Sequence, residues 1–95
     1  MNKKTTNNFN VREEIMEYIV EILKNKFNIK LNFDIDGDNN FFGKKINLLE
    51  RELVYLLFLS EEHYNMSFTE EEIDSLSFYS PNGFVDIIES KIIVQ

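Results

Sequence analysis

Between Phe41 and Tyr64 the chain reads FFGKKINLLERELVYLLFLSEEHY. Leu48, Leu53, Leu56, Leu57 and Tyr64 fall on one face of a helix, while Leu49, Val54, Tyr55, Phe58 and Leu59 spread around the rest. A helix apolar on most sides is buried on most sides, or it offers a surface to a partner. The stretch predicts a long helix opening near Asn47, entered through a loop marked by Gly43. The rest of the chain must then supply apolar faces to cover it.

Those faces are found on either side. Asn10 is placed as an N-cap with Glu13 three residues on, the spacing of a capping box. Val11, Ile15, Ile19, Ile22 and Leu23 form an apolar stripe on a first helix from about Val11 to Lys26. Lys24 and Lys26 lie at its negative pole. Residues 1–9 are polar and aperiodic, and are expected to be a disordered tail. Residues 27–46 alternate at Phe27, Ile29, Leu31 and Phe33, but the sequence offers no partner strand of similar quality. They are expected to be a long loop that inserts apolar side chains into a helical core. After the second helix, Thr69 and Glu72 are spaced to cap a short acidic helix. Ile73 and Leu76 are expected to anchor it inward. Ser80 is an N-cap with Pro81 in the first helical position, where its missing N–H costs nothing. Phe84, Val85, Ile87, Ile88 and Ile92 form the last core face. The expected fold is an all-α bundle of four helices, one domain over residues 10–95.

Composition narrows the chemistry. The chain has 95 residues and no cysteine, so thiolate metal sites, disulfides and thiol nucleophiles are excluded. No apolar run approaches the roughly 20 residues of a membrane span. The N-terminus lacks the apolar region of a signal peptide. The expectation is a cytoplasmic protein that meets no membrane. The net charge is −7. Residues 47–90 hold ten acidic side chains and one basic one, Arg51. Such a surface suits a protein partner with a basic patch and not nucleic acid, whose phosphates require Lys and Arg.

Asp34, Asp36 and Asp38 alternate as at the start of an EF-hand calcium loop. Position twelve of that loop, where a glutamate closes the site, is Lys45, and position six is Asn39 in place of glycine. Calcium binding is a weak alternative. The favoured reading is an acidic turn with Gly37 or Asn39 at positive φ. The single histidine, His63, adjoins Glu61 and Glu62, but sequence neighbours on a helix do not share a face. No catalytic residue is nominated, and the protein is not expected to be an enzyme.

Three stretches resemble the acyl and peptidyl carrier proteins. Asp38-Asn39-Asn40-Phe41-Phe42-Gly43 is similar to the entry loop of peptidyl carrier domains. Asn47-Leu48 through Glu52-Leu53-Val54 matches the run S-L-x-x-x-E-L-V. Ser80 through Ile88 is similar to the start of the carrier's last helix. The resemblance implies an acyl-carrier-like four-helix bundle with a long loop between helices one and two. In carriers the serine of that run bears phosphopantetheine. Here Asn47 stands in its place, and an amide cannot form the phosphodiester. The chain is similar to carrier-related proteins of peptide (bacteriocin-type) maturation systems, which implies a non-enzymatic protein without the arm. The ridge that carriers present to partners corresponds to Asn47, Glu50, Arg51, Val54, Tyr55 and Phe58. No cofactor is expected. The alternative is a working carrier with phosphopantetheine on another serine, Ser75 of Asp74-Ser75-Leu76 or Ser60. A monomer is expected.

Overall fold

The structure, a computed structural model, describes residues 7–93. It is all-helical, and no strand occurs among the described residues. Helix α1 spans Asn7–Phe27, α2 Phe33–Asp36, α3 Glu50–Tyr64, α4 Glu70–Ile73 and α5 Pro81–Ile93. A 3-10 turn, Leu76–Tyr79, links α4 to α5.

The expected cap at Asn10 is displaced, because α1 is already helical at Asn7. The expected tail over residues 1–9 lies outside the described residues for 1–6, and residues 7–9 are helical. At the other end Asn28 adopts φ 58°, and its N–H donates to the Lys24 carbonyl at 3.1 Å. The Ile29 N–H reaches the Leu23 carbonyl at 2.9 Å. Asparagine tolerates this left-handed turn better than most residues, so Asn28 ends the helix where glycine usually would.

The predicted stripe on α1 is the buried one. Ile15, Ile19 and Leu23 are fully enclosed, with Val11 and Ile22 partly covered at its edges. They meet Leu53, Leu56 and Leu57 of α3, and Phe84, Val85 and Ile88 of α5, in one core. Residues 27–46 feed Leu31, Phe41 and Ile46 into that core, as the loop reading expects. The segment also contains α2, which the alternating pattern hid. Asn32 caps α2 by accepting the Asp34 N–H at 2.9 Å, while Asp36 accepts the Asn32 N–H at 3.1 Å.

The turn expectation is corrected at Gly37. Its φ is −56°, and neither it nor Asn39 is left-handed. Glycine is needed there for closeness: a Cβ would lie 2.5 Å from Asn82 Nδ2 and 2.6 Å from the Phe33 carbonyl. The Asn82 N–H donates to the Gly37 carbonyl at 2.8 Å, so the long loop is docked on the start of α5.

The two downstream caps form as predicted. Thr69 Oγ1 accepts the Glu72 N–H at 3.1 Å, and a Glu72 oxygen accepts the Thr69 N–H at 2.9 Å. Ser80 Oγ accepts the Gly83 N–H at 3.2 Å, and Pro81 opens α5. Leu76 departs from expectation. It is 90% exposed, because the 3-10 turn carries Phe78 inward in its place while Ile73 still packs on the core.

Two consequences for stability follow. Ser60 lies on the buried face of α3, and its Oγ has no hydrogen-bond partner among the described residues. An unsatisfied buried hydroxyl is costly. Ser60→Ala is expected to raise stability by up to about 1 kcal/mol, read as a higher urea midpoint at unchanged slope. A loss of stability instead would show that the hydroxyl is satisfied.

Glu72 also receives Lys91 Nζ at 3.0 Å. Burial disfavours its charge, but the Thr69 N–H and Lys91 outweigh that and hold the carboxyl below its ordinary value. A depressed acid stabilises the fold above its unfolded pKa, and the contribution vanishes as pH falls through the folded value. Glu72→Gln is therefore expected to cost about 0.5–1 kcal/mol at neutral pH. The two proteins should converge in stability once pH drops below the ordinary glutamate range, as followed by thermal melts.

Candidate functional site

Asn47 is not the first residue of the long helix. The helix begins three positions later at Glu50, with Leu49 as its N-cap. Glu52 bends back to accept the Leu49 N–H at 2.9 Å, so the end is capped without a Ser, Thr, Asp or Asn. Asn47 is exposed and left-handed at φ 58°. Its N–H donates to the Gly43 carbonyl at 2.6 Å, and the next N–H, of Leu48, donates to the Phe41 carbonyl at 2.8 Å. The backbone at 47 thus turns the chain so that Leu48 drops into the core. The tolerance of asparagine for positive φ gives the residue a structural role there.

The other members of the expected ridge divide. Glu50, Arg51, Val54 and Phe58 line one side of an open groove of about 540 Å³. Successive residues turn by about 100°, which keeps these four and Leu53 and Leu57 on one sector of α3. The opposite wall is Ile73 and Tyr79, with Phe42 beside Tyr79. Leu53, Leu57 and Phe78 form a buried floor, while Val54 is 48% and Phe58 60% exposed. Phe42 packs on Tyr79 with ring centres 5.7 Å apart. Tyr55 and Asn47 are not in the groove. Tyr55 sits on the other flank of α3, edge-on to Phe27 at 5.8 Å.

Phe42, Ile73, Phe78 and Tyr79, which complete the groove, lie outside the expected ridge. Paired aromatics, Phe41-Phe42 and Phe78-Tyr79, were the available signal. One ring of each pair, Phe41 and Phe78, goes to the core, and the second is left at the surface or half-buried.

The three aspartates are not gathered. Asp34 is exposed on α2, Asp36 caps Asn32, and Asp38 accepts Asn82 Nδ2 at 2.9 Å. Among the described residues no three His, Cys, Asp or Glu side chains come together as a metal site. The alternating stretch forms α2 and the turn that docks on the start of α5.

The serines fare differently. Ser60 is sealed in the core, which corrects its candidacy for modification. Ser75 is half-buried, its hydroxyl donates to the Glu72 carbonyl at 2.7 Å, and it precedes the short 3-10 turn.

His63 does not pair with Glu61, which is drawn the other way to accept the Phe68 N–H at 2.8 Å. The imidazole lies flat on Tyr18, 4.1 Å between ring centres, and meets Tyr64 edge-on at 4.6 Å. Burial, with Tyr18 and Glu14 nearby, pushes Tyr64 up to about 12. The cluster staples α1 to the end of α3, helped by the Tyr18 hydroxyl donating to the Leu59 carbonyl at 3.2 Å. No helix among the described residues is long and apolar enough to cross a membrane. No protein-family model, curated protein or solved structure matches this chain.

Proposed function

We propose that this chain is an acyl-carrier-like bundle that bears no phosphopantetheine arm and acts by protein–protein contact in a peptide (bacteriocin-type) maturation system. The observation that carries the reading is the apolar groove beside the exposed ridge of α3. At the entrance to that helix stands Asn47, a side chain without a nucleophilic oxygen. Large apolar side chains left open on a small domain mark a contact surface when they adjoin one another. Val54 and Phe58 do so, with Phe42 across the groove. The protein in this reading is a cytoplasmic monomer and not an enzyme.

The test is a mass measurement. The protein is incubated with coenzyme A and a promiscuous phosphopantetheinyl transferase and weighed intact. No added mass is expected. A gain of one phosphopantetheine group overturns the armless reading, and peptide mapping to Ser75 would establish the carrier alternative.

A further inference from the structure

We infer that the groove between α3 and the Ile73–Tyr79 segment is the seat of an amphipathic peptide helix whose apolar edge is flanked by lysine or arginine. The inference rests on the contact reading above and specifies its partner. A trench with a buried floor and two apolar walls calls for a convex occupant, and a helix with anchors at i, i+3 and i+4 has that shape. The volume of about 540 Å³ is room for a few large side chains, not for a flat protein face.

Charge decides the flanks. Glu50 and Arg51 are the charged side chains that line the groove itself. Beyond the lining, Glu61 lies one turn past Leu57 on the same sector of α3, with one carboxylate oxygen accepting the Phe68 N–H, and Glu70 lies one turn before Ile73 on α4. Arg51 is the single basic residue in positions 47–90, against ten acidic ones. A second copy of the chain would press these carboxylates against their like. A free fatty acid would bring its own carboxylate to the same rim. A cationic amphipathic helix satisfies both the apolar floor and the acidic rim.

The experiment is fluorescence anisotropy on the full chain. The probe is a labelled designed helix of about 18 residues with leucines at i, i+3, i+4 and i+7 and lysines alongside. Two controls replace the lysines by glutamate or scramble the leucine spacing. Saturable binding of the lysine helix is expected, at least about tenfold weaker for either control. Phe58→Ala should weaken binding about tenfold or more with an unchanged circular dichroism spectrum. Ile35→Ala, an exposed apolar side chain outside the groove, should leave it unchanged. Absence of saturable binding, equal binding of the scrambled helix, or insensitivity to Phe58→Ala overturns the inference. So does a dimer in sedimentation that Phe58→Ala dissolves. Mass gain in the transferase assay would sink the armless reading alone, and failure here would leave that reading standing.

Discussion

Gly83→Ala is expected to cost about 3 kcal/mol or more and to lower the melting midpoint by roughly 15 °C. Helix propensity points the other way, since alanine in a helix interior gains about 1 kcal/mol over glycine. Gly83 lies in the first turn of α5, where the 3-10 turn crosses closely. A Cβ there would run into the Ser77 carbonyl oxygen and sit 2.7 Å from the Ser77 Cα. These are backbone atoms and cannot step aside as a side-chain tip could. They are also tied to the helix, because the Ser80 N–H donates to that Ser77 carbonyl at 3.4 Å. The 3-10 turn would have to lift, taking Phe78 out of the core. Gly43→Ala is the control, since its nearest neighbour would be the Asn40 carbonyl at 3.3 Å, and it should cost less than about 1 kcal/mol. Equal stabilities for the two variants, by urea titration, would show that α5 and the turn are not so closely packed.

Phe84→Ala is expected to cost about 3–5 kcal/mol, which for a domain of this size approaches the whole of its stability. The ring is fully buried and is the hub of the aromatic cluster. Phe41 meets it edge-on at 5.9 Å, and Phe68 and Phe78 lie 5.1 and 5.4 Å away. These neighbours come from the long loop, the segment after α3 and the 3-10 turn. Removing the hub leaves a cavity bordered by three segments that have little regular structure of their own. Phe58→Ala, on a ring 60% exposed, should change stability by less than about 0.5 kcal/mol. The pair separates a ring that holds the fold from a ring held open by it.

What could be read from the residues was what depends on near neighbours. Thr69 with Glu72, and Ser80 with Pro81, fix helix starts within four positions, and both form as expected. The stripe Ile15, Ile19, Leu23 is set by a repeat every three to four residues and is buried as written. The start of α3 was misplaced because its cap comes from Glu52 to the N–H of Leu49, a position that carries no capping side chain. The left-handed turns at Asn28, Asn47 and Asn65 were not foreseen, since asparagine also serves in caps and ordinary loops. Leu76 was placed inside on periodicity, but the switch to a 3-10 turn rotated it outward. Half of the groove was legible, as the α3 ridge. The other half depends on Phe42, before α3, and on Ile73, Phe78 and Tyr79, after it, folding over to meet the ridge, which no local pattern encodes.

Arg12 of α1 holds both Asp86 at 2.7 Å and Glu89 at 2.9 Å on α5. Burial opposes its charge, yet the two carboxylates prevail and raise its pKa. The residues of this clasp stand 74 and 77 positions apart along the chain. This clasp can therefore close only after α5 has been made, whereas α3, which shares the same core, is available to the apolar stripe of α1 sooner.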